Sequence, residues 1–193
     1  MDYEKITEKI RKFTKKHVKE SRYEHSVRVA ETCQKLCLLY GLDEKKGYFA
    51  GIAHDMCKDF PEKKLFSLVK KDGRPLTKLE KSHSALLHGR AAAVLLQKKF
   101  GIKDPDILQA VANHTSAAMN CCDLTKCLFL ADKIEPGRPQ STDEYRENLY
   151  KLTLPQIFYS VLKENYEYMV NKGFEIEEET LKMLDFYKVD LSN

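Results

Sequence analysis

Apolar residues recur at intervals of three and four along most of this chain, as they do on the buried face of an α-helix. No stretch alternates apolar and polar residues over a useful strand length, and no segment repeats. The eight Gly and six Pro fall between the periodic segments rather than inside them. The pattern therefore predicts an all-α, single-domain bundle of about eight to ten helices.

Capping residues set the expected helix boundaries. Gly41 follows one periodic segment as a C-cap, and Asp43 can cap the next helix at its N-terminus. Asp104 precedes Pro105, which is the usual order at the first turn of a helix. We expect helices over residues 4–17, 22–40, 44–58, 62–71, 83–100, 105–115, 124–135, 142–172 with an interruption near 155, and 177–189.

Composition and length fit a soluble globular domain. The chain has 193 residues, of which 42% are hydrophobic and 32% charged. No apolar run approaches the ~18–20 residues that span a bilayer, and residues 1–20 lack the apolar core of a signal peptide. We therefore expect no membrane partner and a cytoplasmic location. The six Cys form no CxxC pair and are interpreted as reduced core residues, with a metal or redox role as the alternative.

The charge of the chain is modest but uneven. The net charge is +4 at pH 7, and residues 1–22 hold eight basic and four acidic side chains. Residues 141–193 hold six basic and eleven acidic side chains. One interpretation is a set of solvated helix faces, and the other is that the basic part binds a polyanion such as phosphates.

Polar residues interrupt the apolar faces of several predicted helices. An isolated His on an apolar face is usually a hydrogen-bonded core residue, and a buried Asp is costly unless it is paired or binds a cation. Each residue alone therefore has a structural interpretation, but one shared metal site explains all of them together. Imidazole and carboxylate ligands suit Fe, Mn or Zn. The residues are His25, the adjacent pair His54 and Asp55, His88, His114 and Asp132.

At these positions the sequence resembles the HD superfamily of metal-dependent phosphohydrolases. That family has a His, a later His-Asp pair and a final Asp, which here are His25, His54, Asp55 and Asp132. Five ordered segments look like the YqeK group of bacterial HD proteins, which are symmetrical diadenosine tetraphosphatases that release two ADP. The segments are HSVRVAETCQKLCLLYGLD, AGIAHDMCKDFP, LLHGRAAA, FGIKDPDILQAVANHT and LFLADKIEPGR.

The resemblance implies a single HD domain over residues 1–193, with a core of about 22–138, a basic N-terminal helix and a C-terminal helical segment. It also implies one or two iron ions, with manganese or another divalent metal as the alternative. Asp55, His88 and His114 would take part in catalysis. The implied metal ligands are His25, His54, Asp55 and Asp132, and the implied substrate-binding residues are Lys58, His88, His114, Thr115, Asp132 and Arg138.

Some assignments stay open at this point. His83 competes with His88 for its role, and the LLHG context favours His88. His88 and His114 would either complete a second metal site or neutralise phosphoryl charge, and His114 could instead protonate the leaving ADP. The group usually has a Gly soon after the His-Thr pair, whereas this chain continues with Ser116 and Ala117, which puts the loop geometry in doubt.

Three further alternatives concern substrate and partners. The same ligands could serve a deoxynucleotide or a guanosine alarmone instead of diadenosine tetraphosphate. The basic helix over residues 5–19 also fits an RNA- or ribosome-binding module that has kept the HD fold, although it lacks the interleaved aromatic residues of single-strand binders. Nucleic acid is therefore the less favoured partner. The aromatic residues of the last helices either close the core or form a homodimer surface.

Overall fold

The computed structural model describes residues 3–190, and it gives residues 189 and 190 by their backbone alone. The described part of the chain is an all-α bundle without a strand, which confirms the predicted fold class. It contains eleven α-helices, whereas the sequence predicted about eight to ten. They are α1 Tyr3–His17, α2 Glu20–Leu39, α3 Glu44–Ala53, α4 Glu62–Val69, α5 Lys78–Ser82, α6 His88–Phe100, α7 Pro105–Asn113, α8 Asp123–Ile134, α9 Asp143–Leu149, α10 Leu154–Asn171 and α11 Glu178–Asp190.

Helices α2 and α3 pack closely at the centre of the bundle. Gly51 permits this approach, since a Cβ atom at Gly51 would lie 2.4 Å from the Cα of Ala30. On the other side, α2 contacts α8, and α3 also contacts α7 and α8. The residues of the predicted motifs therefore come from helices that share one buried core.

The prediction that α3 continues to Lys58 is wrong, because the helix ends at Ala53. From there the chain forms successive turns, with hydrogen bonds from Met56 N to Ala53 O and from Lys58 N to Asp55 O. The ring of His54 donates from Nδ1 to the carbonyl of Gly51 at 2.6 Å and so takes the place of a helical backbone donor. His54 and Asp55 consequently leave the helix and turn towards the same buried region.

The predicted helix over residues 83–100 is also shorter, because α6 begins at His88. A single 3₁₀ turn, Ser84–Leu87, precedes it, and the unpredicted α5 begins with a capping box between Thr77 and Glu80. Arg90 ties this region together. Its guanidinium donates to both oxygens of Asp72 at 2.9 Å and to Glu80 at 2.7 Å, so the loop that follows α4 is held against α6.

The C-terminal helices close the core over α8. Phe158 of α10 contacts Phe129 and Tyr187 in edge-to-face geometry, with ring centroids 5.5 and 5.1 Å apart. All six Cys are free thiols and five of them are buried, in agreement with the core interpretation. None of the helices in the described range is long and apolar enough to cross a membrane.

Candidate metal centre

Three histidines stand at the ends of helices, and each is held there in the same way. His54, His88 and His114 follow directly on α3, the 3₁₀ turn and α7. Each donates its Nδ1–H to the carbonyl three residues earlier, at 2.6, 2.5 and 2.9 Å. A carbonyl can only accept, so the proton lies on Nδ1 and the Nε2 lone pair is left to bind a cation. The helix ends thus fix both the ring orientation and the tautomer that metal ligation needs.

His25 is oriented by a carboxylate instead of a carbonyl. Its Nδ1 donates to Oε1 of Glu135 at 3.1 Å. The other oxygen of Glu135 accepts from Nε of Arg28 at 2.5 Å and from the backbone N of Gly137 at 2.6 Å. Burial alone would raise the pKa of Glu135, but the bonds from His25 and Arg28 outweigh it and lower that pKa to about 2. Glu135 is therefore an anion that holds His25 with its Nε2 turned inward.

Asp55 lies where the four histidines converge. Its Oδ1 is 2.9 Å from Nε2 of His88 and 3.7 Å from Nε2 of His114. Its Oδ2 is 3.5 Å from Nε2 of His54 and 3.9 Å from Nε2 of His25. The side chain thus belongs to two overlapping sets of buried donor atoms that could each hold a metal ion, and each carboxylate oxygen faces one of them.

The chemistry of these donors fits metal ions. Nε2 of His54, Nε2 of His25 and Oδ1 of Asp55 are buried without a hydrogen-bond partner, although such atoms are rarely left unpaired. Nε2 of His88 and Nε2 of His114 approach to 3.0 Å, where two lone pairs would repel without a cation. Burial lowers the pKa of His54 to about 3, which keeps its ring neutral. A positive ion in each donor set would satisfy all of these atoms.

Asp132 lies at the edge of the cluster, next to His25. Its Oδ1 is 3.1 Å from Nε2 of His25 and accepts from Nη2 of Arg138 at 2.7 Å. Its Oδ2 accepts from Nζ of Lys133 at 2.7 Å. Burial would raise the pKa of Asp132, but Lys133 and the other cationic neighbours outweigh it and lower that pKa well below its usual value. Asp132 is thus an ionised carboxylate between the histidines and two cations, outside the two donor sets.

The remaining predicted residues fall at different distances from this centre. Nζ of Lys58 lies 3.3 Å from Nε2 of His88, and burial lowers the pKa of this lysine. Thr115 is half-buried in the turn that follows His114. The structure brings His88 to the cluster and leaves His83 exposed beside Ser82.

Three residues of the centre were not assigned from the sequence. Arg22 lies one helical turn before His25, and its Nη1 is 3.1 Å from Oδ2 of Asp55. Lys133 and Glu135 belong to the LADKIEPGR segment, but only Asp132 and Arg138 of that segment received a role. The i, i+3 spacing of Arg22 and His25 on one helix face was the signal that could have identified Arg22.

Known proteins resemble this chain in both sequence and fold. The sequence model of the HD domain family matches residues 22–137. This range includes all six residues of the predicted metal site. The chain belongs to the HD domain family. For this HD domain, family membership together with the buried His and Asp donors indicates a divalent metal centre.

Two relatives match most of the chain. The chain is 32% identical to the symmetrical bis(5'-nucleosyl)-tetraphosphatase of Staphylococcus aureus over 93% of each chain. It is also 32% identical to the protein of that name from Bacillus subtilis, over 82% of this chain and 85% of that one. A crystal structure titled as a predicted HD superfamily hydrolase involved in NAD metabolism, from Clostridium acetobutylicum, superposes with a TM-score of 0.85 at 28% identity and covers 98% of both chains.

Proposed function

We propose that this HD domain hydrolyses diadenosine tetraphosphate symmetrically to two ADP. The observation that carries the proposal is the pair of overlapping donor sets joined by Asp55, at the centre of a chain whose full-length relatives are symmetrical tetraphosphatases. In this reaction the oxygen of water bonds to one of the two inner phosphorus atoms. The bridging oxygen leaves with the electron pair as part of the second ADP, and a proton is released.

In this proposal the first donor set, His25, His54 and Asp55, holds the first metal, and Asp132 completes its ligands from the edge of the cluster, where its Oδ1 lies 3.1 Å from Nε2 of His25. The metal would be iron, with manganese as the alternative. Neutral imidazoles and carboxylates suit both metals. A metal held there would lower the pKa of its bound water and so provide a hydroxide nucleophile at neutral pH. His88 and His114, with Oδ1 of Asp55, form the second donor set, which would hold another ion or the phosphoryl oxygens.

Four cationic side chains surround the donor sets and would bind the polyphosphate. Arg22 lies next to Asp55, Lys58 next to His88, and Lys133 and Arg138 next to Asp132. The side chains of Arg22 and Arg138 are 35% and 33% exposed, so each can turn towards a ligand that arrives from solvent. A guanidinium group binds two phosphate oxygens at once, which holds the attacked phosphorus in place. Thr115, beside His114, would add a hydroxyl donor.

Metal analysis combined with turnover tests this proposal. The protein is purified without chelators, its metals are measured by elemental analysis, and the products of diadenosine tetraphosphate are separated. Asp55→Ala should lose both metal and activity because it removes the side chain that both donor sets share. Asp123→Ala is the matched control, since this half-exposed carboxylate pairs only with Lys126 among the contacts that the structure describes. Metal content and turnover that survive Asp55→Ala would refute the assignment.

Three broader predictions belong to this proposal. The whole of residues 1–193 would form one domain, which is supported by the packing of α1 on α3 and of α10 on α8. A cytoplasmic location follows from the nucleotide substrate. A homodimer stays a prediction, and sedimentation equilibrium of the purified protein would test it.

A further inference from the structure

A cavity of about 740 Å³ opens beside Asp132, between the loop that follows α8 and the face of α10. This volume lies in the ~300–1,000 Å³ range of small-molecule sites. Lys133 and Arg138 line it, and the same two side chains bind the two oxygens of Asp132 at 2.7 Å. The cavity therefore begins at the cations of the metal centre and leads away from it.

The other walls of the cavity carry a different kind of chemistry. Tyr168, a residue that is 58% exposed, contributes an aromatic side chain to the lining. Gln140 and Asn165 provide side-chain amides, which can both donate and accept hydrogen bonds. Glu164 provides a carboxylate, to which the hydroxyl of Tyr145 donates at 2.5 Å. Cations therefore lie at the inner end of the cavity, and aromatic and amide groups line the rest of it.

We propose that this cavity binds one purine nucleoside of the dinucleoside polyphosphate. The inference rests on the proposed function, because it concerns the end of that same substrate. The phosphates would lie against Lys133 and Arg138, the base against the ring of Tyr168, and the amides of Gln140 and Asn165 at the edge of the base. Glu164 would accept hydrogen bonds from the ribose hydroxyls, as acidic residues do in other nucleotide sites.

The contacts of the base and those of the phosphates contribute separately to the affinity for the ligand. Stacking of a base on an exposed aromatic ring contributes about fivefold to hundredfold in affinity. Phosphate binding by Lys133 and Arg138 does not depend on that ring. Removal of the ring of Tyr168 should therefore weaken a ligand that has nucleosides and leave a ligand made of phosphates alone unchanged.

The test compares two probes that cannot be hydrolysed. One is diadenosine tetraphosphate with a methylene group in place of the central bridging oxygen, and the other is methylenediphosphonate. Binding of each to the metal-loaded protein is measured by calorimetry for wild type, Tyr168→Ala and Tyr166→Ala. Tyr166 is the matched control, since it lies on the same helix outside the lining of this cavity. Thermal melting checks that each variant is folded.

We expect Tyr168→Ala to weaken binding of the dinucleoside probe by about fivefold or more, without an effect on binding of methylenediphosphonate. Tyr166→Ala should change neither. Unchanged dinucleoside binding in Tyr168→Ala, or equal weakening of both probes, overturns the inference. Failure of the proposed function looks different: the wild type then binds the dinucleoside probe in a Tyr168-dependent way and does not hydrolyse diadenosine tetraphosphate.

Discussion

The role of Glu135 yields a sharp prediction, because replacement by Gln changes its charge and hardly changes its shape. In the wild type one oxygen accepts from Nδ1 of His25, and the other accepts from Arg28 and from the backbone N of Gly137. A Gln side chain has one oxygen and one NH₂ group. Arg28 and the backbone N of Gly137 can only donate, whereas the ring of His25 can exchange tautomers, so the Gln oxygen should face the loop and its NH₂ group should face His25. Glu135→Gln therefore loses the bond that keeps the proton of His25 on Nδ1 and its Nε2 free for the metal.

The size of the effect follows from the bonds that are lost. A hydrogen bond to a charged group contributes about 1.5–3 kcal/mol. Partners of a metal-bound His usually contribute tenfold to hundredfold in metal affinity, which corresponds to about 1.4–2.7 kcal/mol. The energy of the hydrogen bond and the loss of metal-binding energy are thus of similar size. This is expected, because the bond between Glu135 and His25 affects the metal only by orienting the His25 ring. We therefore expect Glu135→Gln to lower the metal affinity about tenfold to hundredfold.

The assay is a competition between the protein and a chelator of known affinity, followed by elemental analysis of the protein fraction. Glu80→Gln is the matched control. Glu80 is 8% exposed and accepts from Arg90 at 2.7 Å, so its replacement should lower stability and leave metal affinity unchanged. Metal affinity that is equal in Glu135→Gln and the wild type, or equally reduced in both variants, would refute the role of Glu135.

Three further predictions use other contacts of the centre. Gly89→Ala should reduce turnover at least about tenfold in a folded protein. The reason is that the new Cβ atom would lie 2.9 Å from the Val111 carbonyl oxygen and 3.0 Å from Nδ1 of His114. Unchanged kinetics would contradict this close approach of α6 and α7. Arg22→Ala should raise KM for diadenosine tetraphosphate about tenfold or more if Arg22 binds phosphate, and steady-state kinetics with an unchanged KM would exclude that role. The pKa of Glu135 is about 2 against an ordinary value of 4.5, so its ionised form stabilises the fold above pH 4.5, and this stabilisation is lost as the pH falls from 4.5 towards 2. Urea unfolding of wild type and Glu135→Gln at pH 7, 4 and 3 should therefore show a difference that shrinks with falling pH, and a difference that stays constant or grows would contradict this sign.

Local patterns were sufficient to predict the fold class, whereas the choice of His88 over His83 depended on the resemblance to the HD family. Apolar spacing located the long helices, and the polar interruptions of that spacing identified His25, Asp55 and Asp132. Helix ends were less predictable, because the end of α3 depends on the ring of His54 bonding to Gly51 rather than on a Gly or Pro. Side-chain caps of this kind leave no local signature in the sequence.

Long-range pairs were also beyond the sequence patterns. Glu135 and His25 are 110 residues apart, and neither residue indicates the other. The sequence also left open the geometry of the loop after His114, where the expected Gly is missing. In the structure Ala117 adopts a φ of 58°, in the left-handed region that favours Gly. The surrounding core holds Ala117 in this conformation at 8% exposure, so the loop keeps a glycine-like backbone without a glycine.

In the proposed reaction, water attacks an inner phosphorus of diadenosine tetraphosphate. The reaction can be run in ¹⁸O-labelled water and its nucleotides analysed by mass spectrometry. We expect ADP as the only product, with one ¹⁸O atom in half of the ADP molecules and none in the other half. ATP together with AMP, or the release of inorganic phosphate or pyrophosphate, would contradict it.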